Sequence, residues 1–313
     1  MEANVQLLID SIEKVIVGKT DIIKKVISSL LCDGHILIED VPGVGKTQLV
    51  ASLARSLHGK FNRIQMTPDI MPSDILGFSM LNPQTKDFEY RDGVAMCNFL
   101  LADEINRASP KAQSSLLEVM EEYQISLDGV TRKLPRPFMV LATQNPVETY
   151  GTYHLPEAQM DRFLLKISMG YPSIEEEKLI IERTESQNPI NLIKEPVLNL
   201  EDIVKLQQQV TKVKVSEKVR DYILDIVNAT RNNDFIVLGV SPRGSISLYK
   251  AAKAVAFIEG RNFVTPNDIS YIANEVLSHR IILSAKGKTV YHTSSNLLSE
   301  IFSVLSNKIC LIL

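Results

Sequence analysis

Cysteine is scarce in this 313-residue chain: the 3 present, Cys32, Cys97 and Cys310, lie far apart and form no CxxC pair. That argues against a disulfide framework or a thiolate zinc site; they read as small buried hydrophobes in a reducing compartment. The 5 histidines, His35, His58, His154, His279 and His292, show no metal-ligand spacing. Charge of one sign is lacking as well. A formal net charge of −3 leaves no basic footprint for wrapping nucleic acid. No apolar run is long enough to span a bilayer, and the N-terminus lacks a basic-then-apolar signal pattern. A cytoplasmic protein with no membrane insertion is expected. Repeats and low-complexity tracts are missing too. What remains is an ordinary globular composition, 45% hydrophobic and 23% charged, on a chain long enough for two domains.

The most informative segment is Asp40-Val41-Pro42-Gly43-Val44-Gly45-Lys46-Thr47, fed by the apolar run Ile36-Leu37-Ile38. It reads as a strand entering a phosphate-binding turn and then a helix. Gly43 and Gly45 let successive N–H groups converge on phosphate oxygens. Lys46 can reach the terminal phosphates and the Thr47 hydroxyl can ligate Mg²⁺. The strict pattern asks for a glycine where Asp40 stands, so a plain strand-turn-helix corner stays open on this segment alone.

Around it the first half alternates apolar strands with helices. Strands are expected at Ile36–Glu39, Arg63–Met66, Asn98–Ala102, Phe138–Ala142 and Leu164–Ser168, with helices at Thr47–Leu57 and Pro110–Glu121 among those between. Such runs predict a parallel sheet covered on both faces, with ligands at the carboxyl ends of its strands. Two hairpins interrupt it: Phe78–Leu81 with Asp87–Arg91, and Gln124–Leu127 with Val130–Lys133 around Asp128-Gly129, a type I′ pair. They serve partners or substrates, or are surface decoration. After Pro172 the character changes. Ser173-Ile174-Glu175-Glu176 is a capping box, followed by helical patterns at Glu201–Gln209, Glu217–Arg231, Pro242–Glu259 and Pro266–Ser278. We therefore expect an α/β core over 1–172, an all-helical domain over 173–285 and an unassigned tail over 286–313. In that tail Leu297, Leu298, Ile301, Phe302 and Leu305 form a helical apolar stripe, read as packing on its own protein.

About 60 residues after the glycine-rich turn, the strand Asn98–Ala102 delivers Asp103-Glu104 to its end. One carboxylate can hold Mg²⁺ while the next polarises a water for attack on a γ-phosphate. The strand Phe138–Ala142 brings Asn145 to the same end, as a water-orienting amide or simply a turn residue before Pro146. Ser241-Pro242-Arg243-Gly244 reads as N-cap, N1 proline and N2 arginine. A cation there opposes the helix dipole at a cost of about 0.3–1 kcal/mol unless an anion lies nearby, and a nucleotide phosphate is the obvious one. A solvated arginine is the alternative.

Together with Leu155-Pro156-Glu157-Ala158-Gln159-Met160-Asp161-Arg162-Phe163, these segments resemble AAA+ ATPases, and specifically the MoxR family, over roughly residues 10–285. The resemblance implies a P-loop AAA+ core with a central five-stranded parallel sheet, inserted hairpins and a helical lid. It implies that ATP and Mg²⁺ are bound. Pro42, Gly43, Val44, Gly45, Lys46, Thr47 and Gln48 would hold the phosphates, and Val17 and Gly18 would border the adenine. Thr47 and Asp103 would be the metal residues and Glu104 the base. Asn145 would be sensor 1, Arg162 an arginine finger and Arg243 sensor 2. Arg162 could instead pair with Asp161 or Glu157. Gly93-Val94 departs from the family's usual Gly-Pro at the end of the first hairpin. A ring homo-oligomer is implied, hexameric in the family, with chaperone-like remodelling of partner proteins and a VWA-domain protein as one partner. The alternatives are the ATPase subunit of a metal chelatase or, less favoured, a nucleic-acid motor.

Overall fold

The computed structural model describes residues 2–146, 151–186 and 188–309. Cys310 and the chain beyond it lie outside those residues. Helices α1 (Ala3–Glu13) and α2 (Thr20–Leu31) precede β1 (Ile36–Glu39), and α3 (Lys46–Ser56) leads to β2 (Phe61–Gln65). A short α4 (Pro72–Leu76) opens the first hairpin, β3 (Gly77–Leu81) with β4 (Phe88–Asp92). Then come β5 (Phe99–Asp103), α5 (Pro110–Glu122), the second hairpin β6 (Gln124–Leu127) with β7 (Val130–Lys133), β8 (Met139–Gln144), α6 (Glu157–Met160) and β9 (Leu165–Ile167).

Strands β2, β5, β8, β1 and β9, in that order, form one five-stranded parallel sheet. Each strand expected from the sequence is present, with ends shifted by up to two residues. Side chains alternate between two apolar layers. Ile36, Ile38, Phe99, Leu101, Met139 and Leu141 face α1, α2 and α3, while Leu37, Leu100, Ala102, Val140 and Ala142 face α5. A period of two on a sheet buried on both faces makes every strand position apolar, so these strands read as continuous runs.

His35 ties three elements together at the start of β1. Its Nδ1 accepts from the Val140 N–H at 3.0 Å and its Nε2 lies 2.9 Å from the Met120 carbonyl. Burial pushes its pKa down to about 4. Between that value and the unfolded ~6.5, the unfolded chain binds a proton that the folded one does not. Stability is thus complete above pH ~6.5 and falls by about 3 kcal/mol as pH drops towards ~4. Half-buried His279, also lowered by desolvation and by neighbouring Arg280, acts in the same direction. Urea titrations at about pH 7.5 and about pH 5 should show this loss shrinking in His35→Gln; an undiminished loss would assign it to other groups.

Both hairpins form. Asp128 and Gly129 have φ of 53° and 75°, as a type I′ turn requires. At the base of the first, a Cβ on Gly93 would lie 2.3 Å from the Gly77 nitrogen, so two backbones cross there. Val94 donates its N–H to the Asp74 carbonyl at 3.0 Å, a bond that proline could not make.

After Pro172 the chain is helical: α7 (Ile174–Ser186), α8 (Leu200–Thr211), α9 (Glu217–Arg231), α10 (Pro242–Ile258), α11 (Pro266–Leu277), α12 (Ala285–Tyr291) and α13 (Ser294–Ile309). The Ser173–Glu176 capping box closes with bonds of 2.8 and 3.2 Å. A two-stranded antiparallel pair, β10 (Ile236–Leu238) with β11 (Ile282–Leu283), joins the helices. The apolar stripe of α13 is turned inward, with Leu297, Leu298, Ile301 and Leu305 buried and the helix lying on α9 and α11. One apolar cluster continues from α1–α3 into this helical part.

Candidate active site

At the carboxyl end of the sheet, the turn after β1 bends through Gly43 and Gly45, with φ of 88° and 92°. No side chain but glycine adopts those angles without strain. A Cβ on Gly43 would meet nothing within 4 Å, so the turn opens onto space rather than packing. Gly45 caps α3, whose first residues are Lys46 and Thr47. Asp40, the departure from the strict glycine pattern, is an anchor. Its Oδ2 accepts from the N–H groups of Met169 at 2.6 Å and Gly170 at 2.9 Å, and its Oδ1 from Val41 at 3.0 Å. A side chain at this position ties the start of the turn to the chain leaving β9. Lys46 Nζ donates to the Asp40 carbonyl at 3.1 Å.

The cavity over this turn measures about 320 Å³. Pro42, Gly43, Gly45, Lys46, Thr47 and Gln48 line one wall, and Asp103, Glu104, Thr143 and Asn145 the other. Residues 60 and 100 positions apart meet because β1, β8 and β5 are parallel neighbours, so their carboxyl ends share one edge. Asp103 is buried, whereas Glu104 stands in the left-handed region at φ 57°, a strain of about 1–3 kcal/mol for a non-glycine residue. Gln65 Nε2 and Arg107 Nη1 hold the Glu104 carboxylate at 2.8 and 3.1 Å.

Three residues of this cavity escaped the sequence reading. Arg63 Nε donates to Asp103 Oδ2 at 2.6 Å. Thr143 Oγ1 donates to Asp103 Oδ1 at 3.2 Å and accepts from the Glu104 N–H at 2.9 Å. Gln65 completes the set. A cation and two amides on β2 were the available signal, since Asn62, Arg63 and Gln65 break an otherwise apolar sheet pattern.

The other expected residues lie elsewhere. Val44 packs partly against the core instead of lining the cavity. Val17 and Gly18 are not among its lining residues; Gly18, at φ 69°, lies under Glu176, whose carboxylate would clash with any Cβ there. Arg162 and Arg243 sit at the opposite end of the sheet. Arg162 precedes β9, whose Leu165 pairs with Ile36 at the start of β1. The whole of β1, roughly 13 Å at 3.3 Å per residue, therefore separates this end from the turn. There Arg162 Nη2 meets Glu121 Oε2 at 3.0 Å and Arg243 Nη2 bonds the same carboxylate through Oε1. The anion that answers Arg243 within its own chain is Glu121, and no P-loop group lines that cavity of about 430 Å³. Asp161 is not the partner of Arg162: it bonds Arg280 at 2.5 Å.

A family model for "ATPase family associated with various cellular activities (AAA)" matches residues 35–165, and an AAA lid domain model matches 228–301. Chaperone MoxR1 of Mycobacterium tuberculosis is 43% identical over 282 residues, 87% of this chain and 74% of that protein. The chain belongs to the MoxR family of AAA+ ATPases. YeaC of Bacillus subtilis (strain 168) is 49% identical, over 95% of this chain and 92% of its own. A crystal structure of a candidate ATPase from Cytophaga hutchinsonii ATCC 33406 superposes with a TM-score of 0.89 at 38% identity, covering 96% of this chain and 93% of that one. The magnesium-chelatase subunit ChlI homologue of Methanocaldococcus jannaschii is more distant, 28% identical over 59% of this chain and 50% of its own. As a MoxR-family member the chain is an ATPase with a nucleotide-binding core. No described helix is long and apolar enough to cross a membrane.

Proposed function

We propose that this MoxR-family protein is a cytoplasmic, ring-forming ATPase whose turnover drives chaperone-like remodelling or maturation of partner proteins. Each nucleotide is bound by one subunit and completed by the next. The observation that carries this reading is the pair Arg162 and Arg243, gathered on Glu121 a full strand away from their own glycine-rich turn. Guanidinium groups placed there serve a neighbour's phosphates, and a hexameric ring, usual in this family, closes that head-to-tail contact.

In this scheme the N–H groups of residues 43–48 and Lys46 hold the phosphates, Glu104 takes the proton of the attacking water, and Asn145 orients that water. Thr47 and Asp103 fit Mg²⁺: a hydroxyl and a carboxylate in one cavity are hard oxygen donors, and with Arg63 and Thr143 on its two oxygens Asp103 would hold the ion through water. Held there, it would supply positive charge to the phosphates. Val17 and Gly18, beside the start of α7, border the adenine. The core ends near Pro172, and the lid takes in α12 and α13, because α13 is buried on α9 and α11. A VWA-domain protein is the proposed partner. The chelatase reading is second, supported by the weaker ChlI similarity and the two hairpins.

Lys46→Ala removes a charge-assisted phosphate contact, so ATP affinity should fall about 10- to 100-fold by calorimetry. Unchanged affinity would overturn the phosphate site. Sedimentation with a non-hydrolysable ATP analogue should show a ring; a single subunit turning over at full rate would overturn the shared site. Stimulation of turnover by a VWA-domain protein and not by DNA is the expected partner result.

A further inference from the structure

Arg280 ties the helical part to the α/β core outside the nucleotide cavity. It follows α11 with only 2% of its side chain exposed, and every bond to the core goes to the segment that carries Arg162. Nε donates to Asp161 Oδ1 at 2.5 Å, and Nη2 donates to the Asp161 and Phe163 carbonyls at 3.2 and 2.7 Å. Nη1 donates to the Leu164 carbonyl at 3.3 Å. His279 Nε2 lies 3.1 Å from the same Phe163 carbonyl.

The second Asp161 oxygen leads to Arg243. Ser241, the N-cap of α10, donates its hydroxyl to Asp161 Oδ2 at 3.0 Å while accepting from the Gly244 N–H at 3.1 Å. Gly244 makes the arrangement sterically feasible: a Cβ there would stand 2.9 Å from Arg280 Cδ and 2.5 Å from Val240 Cγ1. Ser241, Arg243 and Gly244 thus each have a task at this junction beyond starting a helix.

We propose that Arg280, Asp161 and Ser241 are positioning residues that fasten the Arg162 segment to the first turn of α10, so that Arg162 and Arg243 reach a neighbouring subunit's nucleotide as one rigid pair. The proposal rests on the shared-site reading above. Arginine suits the task because its planar fork engages several acceptors at once, which a lysine ammonium cannot do with the same geometry. The buried clasp couples any lid displacement to the finger directly, since the lid and the segment 161–164 share these bonds.

The test uses the full-length Arg280→Lys protein, which keeps the charge and the stem. ATP affinity at its own glycine-rich turn should stay within about twofold of wild type. A finger misplaced by about 1 Å should lower kcat about 10²-fold. Ser241→Ala should show the same pattern at smaller size, and it carries the test if Arg280→Lys fails to fold. The distinguishing readout is mixing with Glu104→Gln protein, which lacks its base but offers an intact finger. A positioning defect is repaired by that neighbour, whereas a general loss of structure is not. Recovery supports the proposal. Wild-type turnover in both variants, or a loss that mixing fails to repair, overturns it. Arg162→Ala mixed in parallel separates the two readings: failure of that pair overturns the shared site, and its recovery without that of the clasp variants overturns only the clasp.

Discussion

Arg162→Ala is expected to lower ATP turnover by about 10³-fold while leaving nucleotide binding nearly normal. As the proposed finger, the guanidinium stabilises charge that develops on the transferring phosphoryl group, so its removal acts on the transition state more than on the ground state. In this chain it lies at the amino end of β9, a strand's length from its own P-loop, so under the proposed shared site the defect falls on the neighbour's pocket. Mixing with Glu104→Gln protein makes the forecast specific. Where a Glu104→Gln subunit presents its intact Arg162 to the intact Glu104 cavity of an Arg162→Ala neighbour, a complete site is rebuilt. The mixture should recover turnover that neither variant shows alone. Demonstrated subunit exchange with no recovery would make Arg162 a structural residue whose function is to pair with Glu121.

Glu104→Gln should lose turnover by a comparable factor, about 10²–10⁴, for a different reason. The amide keeps the size of the side chain and can still bond Gln65 and Arg107, which hold the carboxylate at 2.8 and 3.1 Å. It cannot accept the proton of the attacking water. ATP should therefore bind and persist, giving a nucleotide-loaded protein that hydrolyses slowly. Single-turnover quench measurements of retained ATP check this outcome. Turnover close to wild type would place the base elsewhere in the cavity.

The glycine-rich turn and the two adjacent carboxylates were legible because their chemistry is local. Glycines at left-handed angles, a lysine at the start of a helix and an acidic pair ending an apolar strand are all written within a few neighbouring residues. The capping box at Ser173, the Asp128-Gly129 turn and the apolar stripe of α13 were legible for the same reason. Arg63, Gln65 and Thr143 were not. Each joins the site through sheet order and register: β2 and β8 flank β5, so Arg63 and Thr143 both meet Asp103 from sequence distances of 40 residues. Hydrophobic packing on two faces sets that register, and no short motif encodes it.

The sequence by itself determined the α/β core, the glycine-rich turn, the paired carboxylates at the strand end and the family, since these depend on short-range periodicity and backbone preference. Only the tertiary structure decided how the arginines are paired. It placed Arg162 and Arg243 on one carboxylate, Glu121, at the far end of the sheet, and showed Asp161 engaged by Arg280 rather than by its neighbour in sequence. Long flexible cations can pair with any acid within reach. Which acid is within reach is set by where the helices come to rest on the sheet, after the chain has buried its apolar faces.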